Sequence, residues 1–120
     1  MNLSFARSYR LTKTDDFSSV FGFRRVIRGK LIALHYRPRE AGMSEPRLGL
    51  VVGKKQLKRA VDRNTYKRVI REQFRLLRPQ LSAVDLVVRL AVKPLKISRK
   101  IYAEEFLTLL QKLPHRLNTE

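Results

Sequence analysis

The sequence predicts an α+β fold, a two-layer α-β sandwich with element order α-β-β-β-α-β-α. Three observations lead there. Apolar residues recur at helical spacing in three segments, after Asp16, after Leu57 and after Ser98. Two strand-like runs, RLGLVVG (Arg47–Gly53) and the β-branched, apolar VDLVVRLAV (Val84–Val92), bracket the longest of these segments. A strand, a helix and a strand in succession then imply a parallel pair joined by a crossover inside an otherwise antiparallel sheet.

The elements follow in order. Thr14-Asp15-Asp16 precedes Phe17, Val20 and Phe21, which share one helical face. Thr14 reads as the cap, and the two carboxylates suit the positive end of the helix better than they suit a metal. Arg24–Arg28 and Leu31–Tyr36 read as two strands around a Gly29-Lys30 turn. Neighbours His35 and Tyr36 point to opposite sides of their strand, and the pattern leaves open which one faces the core. PREAGMSEP (Pro38–Pro46) is a loop. After the strand Arg47–Gly53, the stretch GKKQLKRAVDRNTYKRVIREQFRLLR (Gly53–Arg78) reads as one helix of roughly five turns. It ends near Pro79, because proline disfavours helix in the residue before it. Val84–Val92 is a central strand. Ser98 caps a last helix whose stripe, Tyr102, Phe106, Leu109 and Leu113, stops at Pro114. No repeat or linker divides the chain, so one domain over 1–120 is expected.

Composition narrows the function. The 120 residues contain 27 Lys and Arg against 10 Asp and Glu, a net charge of +17, while 43% hydrophobic residues suffice for a core. Self-repulsion of that size disfavours the compact state unless a polyanion neutralises it: nucleic acid, an anionic membrane surface or an acidic protein. The excess is concentrated, with eleven basic and two acidic residues between 46 and 78. There is no cysteine, hence no disulfide framework or thiolate chemistry. His35 and His115 are the only histidines, too few for a His-rich metal site. No nucleophile–histidine–carboxylate set, paired catalytic carboxylates or Walker motif occurs, so no protein-borne catalytic residue and no protein-bound metal is expected. MNLSFARSYR lacks a signal-like apolar core, and no apolar run reaches membrane-spanning length. A cytoplasmic protein without membrane association is expected.

On a helical wheel Asn64, Lys67, Arg68, Arg71 and Arg75 share one face. Tyr66, Val69, Ile70, Phe74, Leu76 and Leu77 form the opposite arc, into which Asp62 and Gln73 intrude. A solvated surface would interleave acids, because like charges at i, i+4 are mutually unfavourable. Three of the four cations are arginine, whose planar fork suits phosphate. Gly53-Lys54-Lys55 places two lysines at the expected helix start, against the dipole, which hints at a bound anion. Phe17 and Phe21 fit either a core or a stacking platform for unpaired bases.

These residues resemble a known family. RNTYKRVIRE (Arg63–Glu72) resembles the R-N-x-x-K-R-x-x-R-[EQ] signature of the protein subunit of bacterial ribonuclease P. RLTKTDDFSSVF (Arg10–Phe21) is similar to that family's opening R-L-x(4)-D-F-x-x-V-F. RLGLVVGKK (Arg47–Lys55) is similar to its R-x-G-L-x-V-x-K-K strand, and DLVVRLAVKP (Asp85–Pro94) takes the place of its last strand. The order and spacing hold over about residues 10–110, with flexible ends expected outside that core.

The resemblance implies an RNA-binding subunit that assists a catalytic RNA in removing the 5′ leader from precursor tRNA. The RNA carries the magnesium-dependent hydrolysis, and one protein monomer joins one RNA. The fold it implies has a left-handed central crossover, against the usual right-handed rule. The catalytic-RNA surface falls on Arg59, Arg63, Asn64, Lys67, Arg68, Arg71 and Arg75. The leader surface falls on Phe17, Phe21, Lys54, Lys55, Tyr36, Arg89 and Lys93. Two departures stand out: the family's basic pair after the last strand is here spread over Arg89 and Lys93, and Gly53 replaces its usual serine or alanine. The competing class is a structural ribosomal or nucleoid nucleic-acid-binding protein.

Overall fold

The computed structural model describes residues 9–114. The expected flexible ends and His115 lie outside the described residues. The elements are α1 (Thr14–Phe23), β1 (Val26–Arg28), β2 (Ile32–Pro38), β3 (Arg47–Val51), α2 (Ala60–Leu77), β4 (Val84–Leu90) and α3 (Arg99–Gln111), with a 3-10 turn at Arg78–Gln80. The four strands form one sheet in the order β1-β2-β4-β3. β3 and β4 are parallel, and the other two pairs are antiparallel. The expected element order holds, with α2 as the crossover between the parallel strands.

Alternation along the strands sorts the sheet into two faces. Ile32, Leu34 and Tyr36 of β2 and Val84, Leu86, Val88 and Leu90 of β4 point to one side. There they meet Tyr66, Ile70 and Phe74 of α2 and Tyr102, Phe106 and Leu109 of α3. The rings of Tyr66 and Tyr102 meet edge-on at 5.3 Å, joining the two helices over the sheet. On the other side a small cluster of Leu11, Val20 and Val87, with Phe17 and Val51 against it, seats α1. One face is therefore covered by two helices, and the other is crossed by one and otherwise open.

Local chemistry sets the ends of the helices. Ser98 caps α3 as expected, its Oγ accepting from the Ile101 amide at 3.2 Å. At α1 the cap position is Lys13 rather than Thr14, and no side chain accepts there. Asp15 and Asp16 in the first turn supply the compensating charge. Arg24 ends α1 in the left-handed region, with φ 61°. The largest departure is at α2. The helix begins at Ala60, not near Gly53, because the chain first makes a turn in which the Gln56 and Leu57 amides donate to the Gly53 carbonyl. Leu57 is buried there and anchors the turn. Leu76, expected to pack on the sheet, is instead exposed.

Between β1 and β2, Glu105 of α3 accepts from the amides of Leu31 at 2.7 Å and Ile32 at 2.6 Å. A β-carbon on Gly29 would stand 2.5 Å from that carboxylate, so the turn needs glycine for space.

Candidate nucleic-acid interface

The strand register lays the open face out in rows. Val26, His35, Val87 and Gly49 are successive partners across β1, β2, β4 and β3. Arg28, Ala33, Arg89 and Val51 form the next row, and Arg37, Asp85 and Arg47 the row on the other side. Helix α1 follows the middle row. The Phe21 ring meets the His35 ring edge-on at 4.7 Å, Val20 packs with Val87, and Phe17 lies on Gly49. A β-carbon on Gly49 would stand 2.6 Å from Phe17 Cε1, so the absent side chain is what lets the ring reach the sheet.

The aromatic pair is thus divided in role. Phe17 is half-buried and Phe21 is 37% exposed. Beside them runs the Arg28–Arg89 row. Arg89 Nε donates to His35 Nε2 at 3.4 Å, which fixes that nitrogen as the acceptor of the neutral imidazole. Burial, then Arg89 and Arg28, hold the His35 pKa below its ordinary value. An aromatic edge and two guanidiniums beside an open strip of sheet suit a flexible single strand, with bases against the ring and phosphates against the cations.

The third row is structural. Arg47 donates to Asp85 through Nε and Nη2, both at 2.8 Å; Arg39 Nε stands 3.7 Å from Asp85, and Asp16 of α1 stands 3.9 Å from Arg47. This network joins β3, β4 and α1 and holds the helix over the sheet. The bond to Asp85 raises the Arg47 pKa further.

Of the residues expected on the α2 face, Asn64, Arg68, Arg71 and Arg75, together with Glu72, line an open groove of about 280 Å³. Asn64 and Arg68 are exposed, and Lys67, Arg71 and Arg75 are half-buried. Arg75 also pairs with Glu72, Nη2 to Oε2 at 2.6 Å, and the bond lowers the Glu72 pKa. Arg59 is exposed at the cap position of α2. Arg63 differs from its neighbours: its Nη1 donates to the carbonyls of Leu57 and Lys58, both at 2.9 Å. It braces the turn that leads into the helix.

The two surfaces meet. A hollow of about 190 Å³ at the β3 edge is lined by Phe17 and Gly49 from one side and Lys67 and Arg71 from the other, with Arg10 between. The segment carrying Arg10 extends the sheet: Arg10 bridges Leu48 in parallel, and the Leu11 amide donates to the Leu48 carbonyl at 2.9 Å. Burial, with Arg10 close by, pushes the Arg71 pKa down.

Two expectations change. Tyr36 belongs to the main core, on the opposite face from Phe17 and Phe21, and the residue of that pair that faces α1 is His35. Lys54 and Lys55 sit in an exposed turn five residues before α2, so they do not oppose its dipole. Arg89 faces α1 through His35, whereas Lys93 is exposed in the loop after β4. Arg10, Arg28 and His35 were not singled out for this groove by the sequence. Alternation groups Asp85, Val87 and Arg89, but only the register brings Arg28 and His35 to them.

The match to known proteins is broad. The family model for ribonuclease P matches residues 5–114. A ribonuclease P protein component of Aromatoleum aromaticum is 49% identical over 106 residues, covering 88% of this chain and 87% of that protein. One from an Azoarcus species is 48% identical over 110 residues, covering 92% and 90%. Among solved structures, the RNase P protein of Staphylococcus aureus superimposes with a TM-score of 0.77 at 27% identity, over 86% of this chain and 93% of that one. The RNase P protein of Thermotoga maritima gives 0.75 at 28%, over 88% and 97%. With the family model spanning nearly the whole chain and close relatives matched along most of their length, this chain belongs to the ribonuclease P protein family.

Proposed function

We propose that this ribonuclease P subunit binds the catalytic RNA through the α2 groove and holds the single-stranded 5′ leader of precursor tRNA in the groove beside α1. The observation that carries this reading is the meeting of the two surfaces at the β3 edge, where Phe17 lies beside Lys67, Arg71 and Arg10. A cationic wedge between two polyanions lowers their mutual repulsion and fixes their relative position.

The roles divide by chemistry. Phe21 and Phe17 offer aromatic surface to unpaired bases, which stack without sequence demand. Arg89 and Arg28, with His35 in the adjacent row, address the backbone of that strand. Lys54, Lys55 and Lys93 extend the field from exposed loops. On α2, Arg59, Asn64, Lys67, Arg68, Arg71 and Arg75 address the catalytic RNA, with Arg63 positioning the turn they follow. Hydrolysis and its magnesium requirement belong to the RNA in this reading. On the open face, Asp85 and Asp16 are engaged with Arg47. Among the described residues no helix is long and apolar enough to cross a membrane. The particle is assigned as one protein with one RNA acting in the cytoplasm.

The test is a salt titration of precursor-tRNA affinity in the reconstituted holoenzyme. Each neutralised single-strand phosphate contributes a slope of about −0.7 in log affinity against log salt. A slope of several such units is expected, reduced by about one in Arg89→Ala. A slope near zero would remove the electrostatic basis of the proposal.

A further inference from the structure

Four of the nine large apolar side chains left exposed among the described residues lie within ten positions: Val92, Leu95, Ile97 and Ile101. Scattered exposed apolar residues are ordinary, but a contiguous group marks an interaction surface. This one runs from the end of β4 into the first turn of α3, and Leu95 is fully exposed. Between it and the β1–β2 turn opens a hollow of about 420 Å³ walled by Leu31, Pro94, Leu95 and Ile101. Lys30 and Lys96 stand at its rim. Its one acid, Glu105, is committed to the Leu31 and Ile32 amides.

Apart from the committed Glu105, the charge at the hollow is positive. Lys93, Lys96, Arg99 and Lys100 flank it, and no acid occurs between Asp85 and Glu104. Neither surface assigned above includes these walls. An unpaired RNA base would find no aromatic face in the hollow to stack on. A second copy of the chain would bring another net charge of +17. A membrane surface engages a continuous apolar helical face, whereas these side chains line a concavity.

We propose that this hollow docks an acidic protein segment, one that places a large apolar side chain between Leu31, Leu95 and Ile101 and sets flanking Asp or Glu against Lys30, Lys96 and Arg99. An apolar centre inside a polar rim of opposite charge is the ordinary anatomy of such a contact. The apolar walls and the rim cations Lys30, Lys96 and Arg99 belong to neither RNA surface, so docking and precursor processing proceed on the same molecule.

The experiment uses the full chain with isotope-labelled Ile, Leu and Val methyl groups, free and assembled with a bacterial ribonuclease P RNA. The probe is the synthetic peptide DELFEDLLED, compared with the same peptide carrying serine at every apolar position, with decauridylate, and with phosphatidylcholine–phosphatidylglycerol vesicles. Saturable shifts of the Leu31, Leu95, Ile97 and Ile101 methyls by DELFEDLLED are expected in both the free and assembled protein. The serine peptide and the Leu95→Ser/Ile101→Ser double variant should each weaken binding by about tenfold or more. Lys96→Glu should weaken it through the rim alone, and the double variant should cleave precursor tRNA like the parent. The proposal is overturned if the peptide shifts other methyls, if the serine peptide binds equally well, or if the variants bind it unchanged. It is overturned equally if decauridylate, the vesicles, the catalytic RNA or a rise in chain concentration occupies these methyls instead.

Discussion

Phe17 rests directly on Gly49, in the space a β-carbon would fill at 2.6 Å from the ring edge. The contact places one aromatic of the proposed leader surface on the sheet and brings it beside Lys67 and Arg71 at the β3 edge. Gly49→Val should push the ring out and cost about 1–3 kcal/mol of stability, the usual penalty for overpacking a fitted site. Unfolding in urea checks the stability, and holoenzyme affinity for precursor against mature tRNA checks the function. Only precursor binding should weaken.

Phe21→Ala separates stacking from packing. Phe21 keeps a substantial exposed surface and touches His35 by its edge, so its removal should spare most of the fold. Precursor affinity should fall by about 1–3 kcal/mol, the worth of one stacked base, with mature tRNA unaffected. Equal losses for the two RNAs would place Phe21 outside the leader groove.

Much of this site was readable before the fold was known, and what was not has a physical reason. Helical periodicity put Asn64, Arg68, Arg71 and Arg75 on one face, because that face depends only on local geometry. Strand alternation separated His35 from Tyr36 but not their directions, since a strand has no inside until its partners are placed. The pairing of His35 with Val87 and of Ala33 with Arg89 settles it, and register between distant strands leaves little local trace. The start of α2 is hidden in the sequence for a similar reason. The charge pattern runs unbroken from Lys54, but burial of Leu57 and the bonds from Arg63 to the carbonyls of Leu57 and Lys58 hold a turn before the helix.

That brace distinguishes Arg63 from the cations that follow it. Arg63→Ala should lower stability by about 1.5–3 kcal/mol, the range for hydrogen bonds from a charged donor, and weaken catalytic-RNA binding as well. Arg68→Ala should leave the unfolding midpoint unchanged and reduce the salt dependence of RNA binding by about one phosphate. Parallel denaturation and RNA-affinity measurements on the two variants make the comparison.

The Arg47–Asp85 pair carries a different expectation. Asp85 is nearly buried, and Arg47 alone supplies it two charge-assisted bonds. Arg47→Ala should destabilise by about 2–4 kcal/mol, because it leaves the carboxylate in the sheet with the longer Arg39 contact at 3.7 Å in place of two short charge-assisted bonds. Arg47→Leu/Asp85→Leu should recover most of that loss, since the penalty comes from the unpaired charge rather than from the missing pair. Urea unfolding of both variants gives the answer.

His35 links stability to pH. It is faced by Phe21 of α1, Arg89 of β4 and Arg28 of β1, and burial followed by those two cations lowers its pKa from the ordinary 6.5. The unfolded chain therefore takes up the proton first as pH falls. Stability should be full above about pH 6.5 and decline below it, towards the lowered folded value. Thermal unfolding of the parent and His35→Gln across that window should show the decline only in the parent.

The most direct measurement of the central claim is reconstitution with a bacterial ribonuclease P RNA, assayed for 5′ cleavage of precursor tRNA at low magnesium. The RNA alone should be nearly inactive there, the protein alone inactive, and the two together should release the leader at the mature 5′ end. Cleavage by the protein alone, or no stimulation of the RNA, would contradict it.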